Sequence, residues 1–235
     1  MTTRRRAIVF DLDDTLYPER QFVESAYRAV ATWIAASFGV SAQATFLELV
    51  QLSEGGDRGR VLDRWAEAHR PEESGLGQRL VQVYREHTPR IRPFPEVPAL
   101  LLELRRCYRL GIVSDGFREV QERKIEALGI RALVDAIALS DEWGRSAWKP
   151  DPKPFRIVLE RLGSVSPSQA VYVADNPEKD FLGARRAGMG SIRVLRPSGM
   201  HAHKAAASEA HGATATATDI GQIPTLLATW RWPGE

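Results

Sequence analysis

The chain has 235 residues, 43% hydrophobic and 26% charged, with a formal net charge of +2. These proportions exclude a disordered or fibrous polymer and leave room for one large domain, or for a core with a smaller companion. The single cysteine, Cys107, excludes an intrachain disulfide or a thiolate metal cage. No apolar run reaches the ~18 residues of a membrane span, and no basic stripe marks a nucleic-acid partner. The expected setting is a reducing cytoplasm.

In chain order, Arg4 to Arg6 read as a solvated entrance to the first strand, "AIVF" (7–10), which runs straight into Asp11, Asp13 and Asp14. From Glu19 to about Thr88 the pattern is helical. "RQFVESAYRAVATWIAASFG" places Phe22, Ala26, Val30, Trp33 and Phe38 near helical spacing and stops at Gly39. "SAQATFLELVQL", "RGRVLDRWAEAH" and "LGQRLVQVYREH" predict three more helices, separated by "SEGGDRG" and "PEESGLG". "TPRIRPFPEVP" (88–98) reads as a stiff return connection. Four more buried-strand runs follow: "LGIVS" (110–114), "AIALS" (136–140), "AVYVA" (170–174) and "SIRVL" (191–195). Helices are expected between them over "FREVQERKIEALGI", "PFRIVLERLG" and "PEKDFLGARRAG", each ending at a glycine. The tail holds a mobile surface loop with His201, His203 and His211, a short edge strand in "TATAT" and a last helical turn or two in "IPTLLATW". Strands alternating with helices predict an α/β fold, a parallel sheet covered on both faces.

Ligands of such sheets bind beyond the carboxyl ends of the strands. The residues expected there are Asp11, Asp13 and Thr15, then Ser114 and Asp115, then Lys149, then Asp175, Asn176 and Asp180. Carboxylates with one hydroxyl and one lysine suit phosphoryl transfer. Asp11 and Asp175 offer oxygen ligands to a hard cation, with magnesium favoured where phosphate completes the shell. Ser114 and Lys149 offer donors to phosphoryl oxygens. Asp13, two residues past Asp11, is placed to serve as general acid and then base. Taken alone, "DLDDT" also fits an Asx turn or a helix cap. An EF-hand loop is excluded by Leu16 at its sixth position. A receiver domain carries its phosphorylated Asp on a later strand.

"DLDDT", "SDG", "KPDPKPF" and "VADNPEKD", in that order, resemble the four motifs of the haloacid dehalogenase superfamily. The resemblance implies a Rossmann-like core over 1–17 and 89–235 with an all-helical cap over 18–88. It implies that Asp11 is the nucleophile, forming an aspartyl-phosphate, and Asp13 the general acid/base. Ser114, Asp115 and Lys149 would bind the phosphoryl group. Magnesium would be held by the Asp11 carboxylate, the Asp13 backbone carbonyl and Asp175. Asp180 would ligate directly, ligate through water, or orient Lys149, with Thr15 and Asn176 in support. Ala174, where the family usually has Gly, and Asp115, where Asn is frequent, depart from the pattern without removing a reacting group. The implied activity is a magnesium-dependent phosphatase acting on a small phosphorylated metabolite, as a monomer or homodimer. A phosphomutase or phosphotransferase of the same superfamily is the alternative, followed by a non-catalytic binding module. Dehalogenases of the superfamily lack the second acid, so Asp13 argues for phosphate esters. Tyr17, Arg20, Arg58 and Arg60 are candidate contacts to the leaving group, with solvated helix ends as the alternative, and His87 is expected either to face the cleft or to cap its helix.

Overall fold

Ala7–Phe10 forms a four-residue strand (β1), every residue of it buried, as a short apolar run feeding a parallel sheet should be. The computed structural model describes residues 6–56, 58–197 and 199–233, Arg58 by its backbone alone. It divides into two units, one holding the chain up to Glu19 and from Arg92 onward, the other Arg20–Ile91. The boundaries expected from the sequence pattern, at 17/18 and 88/89, differ from these by two or three residues.

After β1 come four helices: α1 (Glu19–Phe38), α2 (Ala42–Glu54), α3 (Val61–His69) and α4 (Leu76–Glu86). The chain continues through α5 (Val97–Leu104), β2 (Arg109–Ser114), α6 (Arg118–Leu128) and β3 (Ala136–Leu139). It then runs through α7 (Lys153–Arg161), β4 (Ala170–Ala174), α8 (Asp180–Ala187), β5 (Gly190–Val194), β6 (Ala215–Ala217) and α9 (Ile223–Ala228).

Among the described residues, six strands form one parallel sheet in the order β3-β2-β1-β4-β5-β6. The chain winds outward from β1 to β3, then restarts on the other side at β4, so the switch point lies between β1 and β4. Their register, Ala7↔Ala170 through Phe10↔Val173, makes the residues after the two strands neighbours. The Asp11 amide accordingly donates to the Val173 carbonyl at 2.9 Å.

Alternate strand residues face opposite sides. Val9, Val113, Ala138 and Tyr172 pack with Phe155, Val158 and Leu162 around α7, and with Phe181 and Ala184 of α8. The Phe155 and Tyr172 rings meet edge to face at 4.8 Å, a geometry worth ~0.5–1.5 kcal/mol beyond the area buried. Gly111 makes this approach possible, because a Cβ there would lie 2.9 Å from Val158 Cγ2. Ile8, Phe10, Leu110, Ile112, Val171 and Val173 fill the other face, each with no exposed surface.

Two elements differ from expectation. Helix α5 begins inside the proline-rich stretch read as a connection, with Pro98 in its first turn, where a missing N–H costs nothing. Helix α8 starts at Asp180 and not near Pro177. The Asn176 amide donates to Asp180 Oδ2 at 3.0 Å and the Asp180 amide to the Asn176 carbonyl at 3.1 Å, so a capped turn occupies the interval. The tail read as a loose loop is bonded to the core. Arg193 Nη2 donates to the carbonyls of His201 and Lys204 at 2.9 and 2.8 Å, and the Met200 amide donates to Asp14 Oδ2 at 2.7 Å.

In the second unit, α1 presents Phe22, Ala26, Val30 and Ile34 as its buried stripe. Trp33 and Phe38, expected on that stripe, are only partly buried beside a core of Tyr27, Phe46, Leu49, Trp65, Leu76 and Leu80. Four-residue steps track the 3.6-residue turn more closely than the 30–33–38 sequence of the expected stripe.

Candidate active site

Strand β1 delivers Asp11, 3% exposed, whose Oδ1 accepts from Lys149 Nζ at 2.8 Å. The same ammonium donates to Asp180 Oδ1 at 2.6 Å and to the Tyr172 hydroxyl at 3.0 Å. Burial pushes the Asp11 carboxyl up to about 6, with Lys149 acting against it and Asp180 adding to it. Burial alone would depress Lys149, but the charges of Asp11 and Asp180 hold it well above its ordinary value. The lysine is therefore charged and bonded on three sides.

Past β1 the chain turns sharply. Asp14 takes a left-handed conformation (φ 50°), and its Oδ1 accepts from the Glu19 amide at 2.9 Å. This turn sets Asp13 apart from Asp11. Lys124 Nζ, on α6, lies 2.7 and 3.0 Å from the two oxygens of Asp13, and the Tyr17 hydroxyl donates to the first of them. Burial raises the Asp13 carboxyl, but Lys124 and Tyr17 together hold it below its ordinary value.

Strand β2 delivers Ser114, which donates to Gln121 Oε1 at 3.2 Å, and Asp115, whose Oδ1 accepts from the Lys149 amide at 3.1 Å. The turn that follows passes through Gly116 at φ 120°, a conformation side-chain-bearing residues rarely adopt. Lys179 Nζ stands 3.7 Å from Asp115 Oδ2. Strand β4 delivers Asp175, 5% exposed, whose Oδ2 is buried without a hydrogen-bond partner. Burial, with Asp180 and Asp11 nearby, pushes its carboxyl up to about 9. Asn176 Oδ1 accepts from the Glu178 amide at 3.0 Å. Thr15 is buried, and its carbonyl accepts from Arg196 Nη2 at 3.3 Å.

Among the described residues, Asp11, Asp175 and Asp180 form the one group of acidic, His or Cys side chains able to share a metal ion, with ligand atoms within 4.8 Å of one another. Three carboxylates face one lysine there, and the partnerless oxygen of Asp175 is the sort of donor that a hard cation takes up. The residues present fit a divalent cation bound through oxygen. Asp180 carries its own partners, Lys149 and the Asn176 amide, so Asp11 and Asp175 are the carboxylates with oxygen to spare.

The candidate leaving-group contacts are dispersed. Tyr17 is fully buried and spends its hydroxyl on Asp13. Arg20 pairs with Glu24 at 2.7 Å and Arg60 with Glu67 at 2.9 Å, both on exposed helix surface. The Arg58 side chain lies outside the described residues, as do Arg4 and Arg5. His87 caps α4, its Nδ1 2.7 Å from the Tyr84 carbonyl, and packs on the Phe22 ring. His211 Nδ1 lies 2.8 Å from Ser208 Oγ, and no tail histidine joins a metal-competent group among the described residues. The sequence reading missed Lys124. The signal for it was present, because Gln121 and Lys124 fall within the apolar stripe of Val120, Ile125 and Leu128 and are buried with it.

The profile of the haloacid dehalogenase-like hydrolases matches residues 5–188. The chain belongs to that family. As a haloacid dehalogenase-like hydrolase it is 34% identical to glyceraldehyde 3-phosphate phosphatase of Methanopyrus kandleri over 199 residues, 81% of this chain and 84% of that one. The enzyme of the same name from Methanocaldococcus jannaschii is 31% identical, covering 81% and 85%. Among solved structures, 2-haloacid dehalogenase from Pseudomonas syringae pv. Tomato DC3000 superposes with a TM-score of 0.66 at 26% identity, covering 96% of this hydrolase and 99% of that chain. No helix among the described residues is long and apolar enough to cross a membrane.

Proposed function

We propose that the protein is a magnesium-dependent phosphatase that hydrolyses a small phosphate monoester through an aspartyl-phosphate on Asp11. The observation that carries this reading is the separation of two acids past one strand. Asp11 is bonded to Lys149, and Asp13 is bonded to a different lysine, Lys124. Two carboxyl groups in distinct environments can take distinct roles, one as nucleophile and one as proton carrier. Lys124 and Tyr17 hold the Asp13 carboxyl low in the unliganded protein, so it takes up its proton as the anionic phosphate ester binds beside it. Haloalkane chemistry needs only the first, since a halide leaves without a proton.

In the first half-reaction an Asp11 oxygen attacks phosphorus, the ester P–O bond breaks, and Asp13 gives its proton to the departing alkoxide. In the second, Asp13 takes a proton from water as the water oxygen attacks phosphorus. The P–O bond to Asp11 breaks and inorganic phosphate leaves. Lys149 fixes one oxygen of Asp11 and, with Ser114, faces charge that redistributes over the phosphoryl oxygens. Magnesium, held by the Asp11 and Asp175 carboxylates and the Asp13 carbonyl, would supply charge neutralisation toward the phosphoryl group. The helical unit, inserted in the chain directly after the Asp11–Tyr17 segment, is proposed as the family's cap and as the selector of the leaving group. The names of the two relatives make a three-carbon phosphate such as glyceraldehyde 3-phosphate the first substrate to try.

The test is phosphate release from p-nitrophenyl phosphate and glyceraldehyde 3-phosphate, with magnesium and with chelator, beside Asp11→Asn. Magnesium-dependent release that disappears in the variant supports the reading. Release that persists in Asp11→Asn removes Asp11 as the nucleophile.

A further inference from the structure

Lys124 is a buried cation to which the proposed chemistry gives no task. Its side chain is 4% exposed, whereas that of its partner Asp13 is 21% exposed. Taking an ammonium out of water costs several kcal/mol before any pairing. The other buried residues of α6 are Val120, Gln121, Ile125 and Leu128, three of the four apolar, so an apolar residue at 124 would suit most of its surroundings. The geometry explains what the lysine does there. Its Nζ contacts both oxygens of Asp13, at 2.7 and 3.0 Å, while the Tyr17 hydroxyl contacts Oδ1 from within the turn after β1.

The terminal torsion of an aspartate is broad, so a single hydrogen bond leaves the carboxyl plane free to swing. A contact to both oxygens, with a second donor on one of them, removes that freedom. Misplacing a reacting group by about 1 Å can cost ~10²-fold in rate. We infer that Lys124 is a positioning residue for leaving-group protonation, holding the Asp13 carboxyl plane, with Tyr17 as the second clamp. The inference rests on the proposed role of Asp13 as the acid.

Leaving groups provide a readout that a purely structural role would not move. p-Nitrophenolate departs as a stable anion, whereas the phenolate of phenyl phosphate, whose conjugate acid has a pKa of about 10, depends far more on protonation. Lys124→Gln should lower turnover of phenyl phosphate at least about tenfold more than that of p-nitrophenyl phosphate, within the range general acids supply. Tyr17→Phe should shift the same ratio in the same direction by less, and Lys124→Arg should restore much of it. Equal losses on both esters, or none on either, would overturn the inference. If Lys124→Gln fails to fold, Tyr17→Phe and Lys124→Arg decide, and a wild-type ratio in Tyr17→Phe overturns it. Asp13→Asn is measured alongside. If that variant does not discriminate the two esters, the acid role falls and this inference with it. If it does and the Lys124 and Tyr17 variants do not, only the inference falls.

Discussion

Asp13 and Asp175 follow neighbouring strands, β1 and β4, and their surroundings are opposite. Asp13 has an ammonium on both oxygens and a phenol on one, and its carboxyl is held low. Asp175 has a buried oxygen with no donor, and its carboxyl is driven up to about 9. The protein surrounds one acid with its own donors and gives one oxygen of the other none. Under the proposed mechanism this difference separates a proton carrier, which must be oriented, from a metal ligand, which must stay available.

The largest disturbance should come from Lys149, the ammonium shared by Asp11 and Asp180. Lys149→Met strands the buried carboxylates of Asp11 and Asp180, and losing one partner of such a pair typically costs about 3–5 kcal/mol. Chemical denaturation should show a loss of that order together with loss of turnover, and near-wild-type stability would show that the pairing contributes little. Asp175→Asn should behave differently. In chelator its melting temperature should be no lower than that of the wild type, since the variant removes an unsatisfied acid. The rise in melting temperature on adding magnesium should disappear. A full magnesium response in Asp175→Asn would remove Asp175 from the metal site.

The same contrast has a pH signature. The folded Asp175 carboxyl, at about 9, lies above its ordinary value of 3.8. A carboxyl raised on folding stabilises at low pH and loses that contribution as pH rises through the window between those values. A cation competes with the proton held there, so its binding strengthens with pH. The melting-temperature gain from magnesium should therefore grow from pH 6 to pH 8.5, and a gain that shrinks over that range would contradict the account. The smallest effect is expected away from the strand ends. Arg161 donates to Glu142 and holds its carboxyl below the ordinary value. That contribution is present above the unfolded pKa and fades as pH falls, but the pair is partly exposed, and Glu142→Gln should cost no more than ~1 kcal/mol in denaturant titration.

Most of the sheet was legible because its strands are short apolar runs punctuated by glycine and charge. "AVYVA" corresponds residue for residue to β4, and "AIVF" to β1. Register then brought Asp11 and Asp175 together, a long-range consequence that a linear pattern only suggests. Helix α5 was hidden because its Leu-rich run carries little polar face, follows three prolines and holds a fourth in its first turn. Lys124 lies within an apolar stripe that signals burial, against the ordinary solvent-facing habit of a helical lysine, but only the fold shows that Asp13 waits opposite. Asp180 was left open between metal ligand and partner of Lys149 because carboxylate spacing is the same for both. In the structure it touches Lys149 and the Asn176 amide.

The proposed mechanism stands or falls on whether Asp11 carries the phosphoryl group. Turnover of p-nitrophenyl phosphate with magnesium can be quenched rapidly in acid and followed by peptide mass spectrometry. The peptide spanning "DLDDT" should become heavier by one phosphoryl group, with the modification on Asp11. Turnover that leaves Asp11 unmodified while another residue carries the phosphoryl group would contradict it.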